Sequence, residues 1–179
     1  MKIAYINFYS VGNRYRAGAL ITDSSTRPVE FRVTSDLNID KLQEILYGEA
    51  LQEVLYKERF TVQLLKSMQE EYDIVLIKDK NLMSIRNEIN IPVVHIQKFD
   101  QFMPLNRLSR KIINIHDRYE PLYITVNKED EKRLVGISHF LQEMYRNFNI
   151  MEPFKRIENA IKYIMENSLE TERADICIR

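Results

Sequence analysis

The sequence has few of the residues that cross-link a chain or interrupt its regular structure. Its 179 residues include one cysteine, no tryptophan, four glycines and five prolines. The scarcity of glycine and proline excludes collagen-like chains and chains made mainly of linkers. The single cysteine, Cys177, cannot form an intrachain disulfide, which fits a reducing cytoplasm.

Long hydrophobic runs are also missing. No apolar stretch approaches the roughly 18 residues that a membrane-spanning helix needs. The first residues do not combine a long apolar core with a small-residue cleavage site, as a secretory signal does. We therefore expect a cytoplasmic protein without a membrane partner.

Neither sign of charge is in excess. Lys and Arg number 26, as do Asp and Glu, so the formal net charge is zero. Proteins that bind nucleic acid through bulk charge are usually clearly basic, which disfavours that class. A net charge near zero also removes one barrier to self-association. The length suits one domain, which we expect over residues 1–167, followed by a flexible tail at 168–179.

The N-terminal part of the sequence predicts a three-stranded antiparallel meander. Residues 3–9 and 17–22 are apolar and rich in β-branched and aromatic side chains, as in buried strands. Residues 29–34 alternate apolar and polar side chains, the period of a strand with one solvent-exposed face. Short polar turns separate these segments, the first of them at residues 10–13.

After the meander, the pattern changes to the period of a helix. Apolar residues recur mostly at steps of three and four, at Leu42, Ile45, Leu46, Leu51, Val54 and Leu55. Asp40, with Gln43 three residues later, resembles a capping box. Gly48 lies inside the pattern at a cost of about 1 kcal/mol relative to Ala, which suggests a close approach of the backbone to the sheet. The sequence leaves open whether residues 40–57 and 60–71 form one helix.

The next segments predict parallel strands. A continuous apolar run at residues 73–79 is typical of a central strand covered on both faces. A short helix at 81–88 and an apolar strand at 92–96 complete a βαβ unit with a right-handed crossover. The remaining pattern predicts an irregular segment at 97–110, strands at 111–115 and 122–126, and helices at 129–146 and 153–166. The predicted fold class is therefore α/β with a mixed sheet.

This order of elements resembles the ribonuclease H-like fold over residues 1–97. In that fold, parallel strands extend a three-stranded antiparallel meander, and helices cover both faces of the sheet. Four segments also resemble an uncharacterised bacterial protein family: residues 17–23, 28–32, 45–48 and 152–157. The resemblance to the fold is an analogy of element order, so it implies an architecture and only suggests an activity.

The resemblance implies where a metal site would lie. Ribonuclease H-like nucleases, including endonuclease V, use carboxylates to hold two divalent ions about 4 Å apart, because Mg²⁺ prefers anionic oxygen ligands. The first acid lies in the middle of strand one, where this sequence has the neutral Asn7. The following helix offers Glu58, the end of the fourth strand offers Asp79, and Asp23 after strand two adds a further carboxylate. Asp23, Glu58 and Asp79 are therefore the tentative catalytic residues.

The three histidines do not suggest a metal site. We expect His95, in an apolar strand, to be a hydrogen-bonded core residue, whereas His116 falls in a turn and His139 in a helix. They share no metal-ligand spacing, such as two histidines four residues apart on a helix. We expect no metal and no cofactor, apart from Mg²⁺ if the chain is a nuclease.

Two clusters suggest binding. Arg14, Tyr15 and Arg16 follow the first turn, where arginine could grip a phosphate and tyrosine could stack on a base. The alternative is a solvated hairpin tip. The irregular segment adds three apolar residues that mark either a partner surface or plugs of the core: Phe99, Phe102 and Met103.

The missing acid at Asn7 favours a non-catalytic interaction or regulatory module that retains a nuclease-like scaffold. Its partner would be an unknown protein or a second copy, bound through residues 97–110 or the C-terminal helices. The first alternative is a divalent-metal-dependent nuclease or nucleic-acid-binding protein. The second is a small-ligand binder at the carboxyl ends of the parallel strands, where open α/β sheets usually place their sites.

Overall fold

In the part of the chain that the structure describes, eight strands form one mixed sheet at the centre. The structure is a computed structural model that describes residues 1–102 and 106–167; Met103 and residues 168–179, with Cys177, lie outside the described residues. The strands are β1 Ile3–Val11, β2 Arg14–Thr22, β3 Pro28–Val33, β4 Leu37–Asn38, β5 Ile74–Ile77, β6 Val93–Lys98, β7 Ser109–Ile112 and β8 Leu122–Val126.

The strand order confirms the predicted combination of a meander with parallel strands. The sheet runs β3-β2-β1-β5-β6-β8-β7, and β4 pairs with β2 outside this path. β1 is antiparallel to β2 and parallel to β5, with Tyr5 opposite Leu76. β6 is parallel to β5, and β8 and β7 then continue antiparallel. The N-terminal strand is therefore central, buried between a hairpin partner and a parallel neighbour.

Helices cover the two faces of the sheet. They are α1 Lys41–Tyr47, α2 Ala50–Glu53, a π-helical segment Val54–Thr61, α3 Val62–Ser67, the 3₁₀ helices Lys80–Asn87 and Lys128–Arg133, α4 Leu134–Asn147 and α5 Glu152–Asn167. Within the described residues, no helix combines the length and the apolar character needed to cross a bilayer.

The alternation of side chains along β1 separates two apolar cores. Ile3 and Tyr5 point to the face covered by α4 and α5, and belong to the larger core. Ala4 and Ile6 point to the opposite face and pack with apolar residues of the helical region between β4 and β5. This two-residue period explains why a nearly continuous apolar strand fits a sheet with helices on both sides.

Gly18 on β2 allows α5 to lie close to the sheet. A Cβ atom placed on Gly18 would lie 2.7 Å from Cγ2 of Ile157 and 3.3 Å from Cδ1 of Ile161. The first of these distances is shorter than real Cβ contacts, so the absence of a side chain sets how closely the helix packs. The sequence pattern alone does not indicate this contact.

The helical region differs from its prediction at Gly48. The Asp40–Gln43 capping box is present and begins α1, as predicted. Gly48, however, ends α1 with a φ of +51°, and a Cβ atom placed there would have no atom within 4 Å, so the predicted close approach to the sheet is wrong. The chain is then helical from residue 50 to residue 67, which places the break at Gly48 and not between residues 57 and 60.

The first turn is shorter than predicted. β1 continues to Val11, which pairs with Arg14, so that Gly12 and Asn13 alone connect the two strands. Gly12 has a φ of +59°, a conformation that glycine adopts without strain. The predicted turn at residues 10–13 is therefore replaced by a two-residue hairpin loop, and the residues after it lie in a strand.

Candidate functional site

Asn7 occupies the position in β1 where the resemblance expects an acid. Its side chain is only 8% exposed, and its Nδ2 donates a hydrogen bond of 2.8 Å to the carbonyl of Phe154 in α5. The Phe154 ring packs edge-on against Tyr5 at 5.2 Å, and the ammonium of Lys78 lies 5.3 Å from the same ring. Asn7 therefore connects the central strand to the C-terminal helix.

Asp79 follows β5 and serves as a helix cap. Its carboxylate accepts a hydrogen bond of 2.9 Å from the backbone N–H of Asn81 and so begins the 3₁₀ helix Lys80–Asn87. Burial raises the pKa of Tyr56, and nearby Tyr15 and Asp79 raise it further. Asp79 is thus close enough to the π-helical segment to affect a tyrosine on it.

Glu58 belongs to that π-helical segment, and its side chain lies outside the described residues. The segment is anchored on both sides of Glu58. The Tyr56 ring stacks on Phe8 of β1 at 4.3 Å, and the Thr61 hydroxyl donates to the Tyr56 carbonyl at 2.6 Å. The backbone of the predicted second acid therefore runs beside the carboxyl end of β1.

Asp23 lies at the other end of the sheet. Its carboxylate accepts hydrogen bonds from the backbone N–H groups of Ser25 at 2.8 Å and Arg27 at 2.9 Å, which stabilise the turn after β2. Thr22, just before Asp23, lies opposite Ile3 of β1, and Leu76, three residues before Asp79, lies opposite Tyr5. Measured along β1, about six residues, or roughly 20 Å, therefore separate Asp23 from Asp79. The fold does not bring Asp23 and Asp79 together.

The described residues do not fit a two-metal centre. No group of three or more His, Cys, Asp or Glu side chains within residues 1–102 and 106–167 is arranged to hold a metal ion. Asn7 donates its amide N–H to a carbonyl of α5, and Asp79 accepts from a backbone N–H at the start of a helix, so each makes a structural contact. No step of chemistry is therefore assigned to Mg²⁺.

Arg14, Tyr15 and Arg16 lie in β2, where alternation sends the arginines to one face and the tyrosine to the other. Both guanidinium groups pair with Asp36; the Arg14 Nε lies 2.9 Å from its carboxylate. Burial opposes ionisation of Asp36, but the hydrogen bonds and charges of both arginines outweigh it and lower its pKa. Tyr15 packs instead against the core on the opposite face of the sheet, which includes Ile6. The three side chains thus do not form one cluster.

The histidines lie in the environments that the sequence indicates. His95 is buried in β6, with Nε2 3.1 Å from the carbonyl oxygen of Lys78. Its burial and this hydrogen bond confirm the expected core histidine, and the burial lowers its pKa. His116 lies in an exposed turn after β7, and His139 is exposed on α4.

Exposed apolar side chains are concentrated on α1. Leu42 is 63% exposed, Ile45 66% and Leu46 74%, and Tyr47 beside them is also exposed. We call these four residues the α1 apolar face. The helical spacing of its leucine and isoleucine residues is the usual sign of a core helix, so no signal in the sequence indicates that this turn of helix lies outside both cores.

The aromatic residues of the predicted partner segment are divided between different environments. Phe99 is half-buried, and the ammonium of Lys111 lies 4.1 Å from its ring centroid. Phe102 is exposed, and Met103 lies outside the described residues. Phe99 is therefore part of the sheet's own packing, whereas Phe102 remains accessible.

Solved structures identify the architecture. No family model matches the sequence, and no curated protein matches it. The fold is similar to that of the endonuclease V of Bacillus subtilis, with a TM-score of 0.54, 11% identity and coverage of 96% of this chain and 83% of that one. It is also similar to Argonaute of Aquifex aeolicus, with a TM-score of 0.52, 12% identity and coverage of 99% of this chain but 29% of that one. These similarities show a ribonuclease H-like fold.

Proposed function

We propose that this chain, which has a ribonuclease H-like fold, is a non-catalytic interaction module that works in the cytoplasm. The observation that carries the proposal is the hydrogen bond from the Asn7 side chain to the carbonyl of Phe154, at 2.8 Å. A carboxylate accepts hydrogen bonds and cannot donate one when ionised. The position that would hold the first acid of a metal site is therefore used to attach α5 to the sheet.

The α1 apolar face supports an interaction with a protein. The helix is stabilised at its start by the Asp40–Gln43 capping box and ended by Gly48, although it buries none of its own side chains. Leu42, Ile45 and Leu46 follow the i, i+3, i+4 spacing by which an amphipathic helix enters an apolar groove. An exposed patch of this kind is costly unless a partner covers it.

Charge favours a protein partner over a polyanion at this surface. Lys41 is the basic residue of α1, and its ammonium lies 2.8 Å from the carboxylate of Glu44. Glu49 and Glu53 follow in the next turns. A nucleic acid would meet acidic groups around an apolar centre, whereas an apolar groove with a basic or neutral rim would be complementary.

A photo-crosslinking experiment in cells tests the surface. A benzophenone amino acid replaces Leu46, and the matched control carries it at Val135, an apolar residue on α4 of similar exposure. We expect one protein adduct at position 46 that is absent at position 135. The partner identified from the adduct is then purified, and we expect it to bind the wild type at least tenfold more tightly than it binds Leu46→Glu. Its affinity for Val135→Glu should equal its affinity for the wild type. Adducts to nucleic acid alone, or equal binding of both variants, would contradict the proposal.

A nuclease assay tests the absence of catalysis. The full chain is incubated with Mg²⁺ or Mn²⁺ and with single-stranded and double-stranded DNA and RNA. We expect no cleavage above a metal-free control, and no difference between the wild type and Asp79→Asn. Cleavage that requires the metal and is lost in both Asp79→Asn and Glu58→Gln would overturn the proposal.

A divalent-metal nuclease or nucleic-acid-binding protein is the second candidate. The observation in its favour is the similarity to endonuclease V over 96% of this chain. The position of the π-helical segment beside Asp79 adds support, because Glu58 lies on that segment. Binding to labelled oligonucleotides across a salt titration tests it, since phosphate contacts make affinity fall steeply with salt. A small ligand at the carboxyl ends of the parallel strands stays a prediction.

A further inference from the structure

Two aromatic side chains lie together at the carboxyl end of β1, on the face of the sheet that packs against the helical region. Phe8 of β1 and Tyr15 of β2 both contact the core of that face. Tyr15 lies opposite Ser10, which makes Phe8 its diagonal neighbour on the same face. Diagonal neighbours in an antiparallel pair are close enough for aromatic side chains to meet. The two rings therefore lie near each other at the edge of this core.

Asp79 reaches the same place from the neighbouring parallel strand. The register of β1 with β5, continued by three residues, brings Asp79 beside Phe8. The pair before them supports this continuation, because Asn7 and Lys78 both contact Phe154 on the opposite face. Side chains alternate between faces along a strand, and the backbone of Asp79 is still extended. Its carboxylate therefore points to the face that carries Phe8.

Tyr56 joins these groups from the π-helical segment. Its ring stacks on Phe8, with centroids 4.3 Å apart and an angle of 13° between the planes. The segment contacts both β2 and the 3₁₀ helix that Asp79 begins. Burial raises the pKa of Tyr56, and Tyr15 and Asp79 raise it further, in agreement with this arrangement. We call Phe8, Tyr15, Tyr56 and Asp79 the carboxyl-end cluster.

The polar atoms of the carboxyl-end cluster are not fully used within the protein. In the described parts of the chain, the hydroxyl groups of Tyr15 and Tyr56 make no hydrogen bond. Asp79 accepts from the N–H of Asn81 with one carboxylate oxygen, and its other oxygen makes no such contact there. All three side chains are half-buried, so they reach solvent beside the aromatic rings. Half-buried polar groups of this kind take water or a ligand as their partner.

The lysines on either side of Asp79 do not neutralise it. The ammonium of Lys78 lies on the opposite face, 5.3 Å from the centroid of the Phe154 ring. Lys80 is exposed, and among the residues that the structure describes neither lysine forms an ion pair with Asp79. The carboxyl-end cluster therefore presents a negative charge between phenol oxygens and aromatic rings.

We infer that the carboxyl-end cluster binds a small organic ammonium ion, a protonated aliphatic amine. Asp79 supplies the opposite charge, and the phenol oxygens of Tyr15 and Tyr56 accept hydrogen bonds from the ammonium group. The aromatic rings attract the cation and cover its apolar part. A phosphate or carboxylate ligand would be repelled by Asp79, and a divalent metal ion would find a single carboxylate where it prefers several oxygen ligands.

This site is separate from the α1 apolar face, so the inference goes beyond the proposed interaction role. It gives the predicted small-ligand site at the carboxyl ends of the parallel strands a position and a class of ligand. It requires neither a protein partner nor a metal ion.

An NMR titration of the full chain with butylammonium chloride tests the inference, and neutral butanol is the matched ligand. We expect saturable shifts of the backbone amide signals of the carboxyl-end cluster, with a dissociation constant of about 1 mM for the amine. Butanol should give no saturable shift. Asp79→Asn keeps a side-chain acceptor for the N–H of Asn81 and should weaken binding about tenfold or more. Tyr56→Phe keeps the ring that stacks on Phe8, and the loss of its hydroxyl should weaken binding about threefold.

Control variants separate this site from the other candidates. Asp100 is an exposed carboxylate that likewise accepts a backbone N–H two residues further along, at 2.9 Å, so Asp100→Asn should bind the amine as the wild type does. Leu46→Glu should also leave amine binding unchanged, because it alters the α1 apolar face alone. Mg²⁺ should not displace butylammonium when sodium chloride keeps the ionic strength constant.

Four results would overturn the inference. They are the absence of saturable binding, equal binding of butanol, binding that Asp79→Asn leaves unchanged, and displacement of the amine by Mg²⁺. Shifts confined to residues outside the carboxyl-end cluster would count as the first of these, since the amine would then bind elsewhere.

Discussion

Replacing Asn7 by aspartate restores the acid that the ribonuclease H-like fold expects, and we predict that it destabilises this protein. The amide at this position donates to the carbonyl of Phe154 and is almost fully buried. Asn7→Asp removes the donor and directs an ionised acceptor at another acceptor. The loss of the hydrogen bond costs about 1 kcal/mol.

The charge adds a penalty with an upper bound. An ionised carboxylate that is buried without a partner costs several kcal/mol. The folded protein can avoid this cost by keeping the group protonated, which at pH 7 costs about 4 kcal/mol for an unfolded pKa near 3.9. We therefore expect Asn7→Asp to lower the free energy of unfolding by about 2–4 kcal/mol at pH 7.

The pH dependence identifies the mechanism. The folded environment raises the pKa of the introduced carboxyl group above its unfolded value. Its penalty is therefore absent below the unfolded pKa and grows as the pH rises toward the folded pKa. A protonated carboxyl can also donate to the Phe154 carbonyl. The destabilisation should be about 2 kcal/mol smaller at pH 5 than at pH 7.

Urea unfolding of the variant at both pH values, with and without Mg²⁺, is the assay. Asn159→Asp is the matched control, because it makes the same chemical change at an exposed position on α5 and should alter stability by less than about 0.5 kcal/mol. If Asn7→Asp is as stable as the wild type at pH 7, the contact with Phe154 does not hold the helix. If Mg²⁺ selectively stabilises the variant, the restored acid binds a metal together with neighbouring side chains, and the stability argument for Asn7→Asp fails.

Three further predictions concern the interior. Gly18→Ala should destabilise by about 1–3 kcal/mol in urea unfolding, because the new methyl group overlaps Ile157; an unchanged midpoint would contradict the close approach of α5. Glu30→Gln should cost about 1–3 kcal/mol at pH 7. Burial opposes ionisation of Glu30, but two backbone N–H groups and an arginine lower its pKa. Its contribution to the free energy of unfolding is therefore present above the unfolded pKa of about 4.3 and declines as the pH falls toward the folded pKa. A pH-independent loss would refute this. Asp130→Ala should lower the free energy of unfolding, measured by thermal denaturation, by about 3–5 kcal/mol, because it removes the carboxylate that lies 2.7 Å from the Arg86 guanidinium. A loss below about 1 kcal/mol would show that water replaces the carboxylate as the partner of Arg86.

The sheet could be predicted from the sequence because its signals are local and strong. The uninterrupted apolar run before Asp79 has the composition of a strand covered on both faces, and it lies beside β1 as expected. The capping box at Asp40 is likewise a short-range pattern, and it begins α1. These features depend on hydrogen bonds and burial within a few residues, which one sequence displays directly.

The errors occur where long-range packing decides. The spacing of Leu42, Ile45 and Leu46 is that of a buried helix, but the break at Gly48 separates this turn from both cores. The distance between Asp23 and Asp79 depends on the direction of β2, and the positions of the acids in the sequence do not contain that information. The role of Asn7 depends on the carbonyl of Phe154, far along the chain. The sequence therefore shows that residue 7 is uncharged but does not show which group its side chain contacts.

The hydrogen bond between Asn7 and Phe154 joins residues that are 147 positions apart. During synthesis, the N-terminal strands leave the ribosome long before α5 is made. Until then, Tyr5, Gly18 and Phe31 have no helix above them, and the nascent chain presents an apolar sheet face to chaperones and to other chains. Closure of this sheet face is therefore expected to be a late step of folding, because it waits for α5.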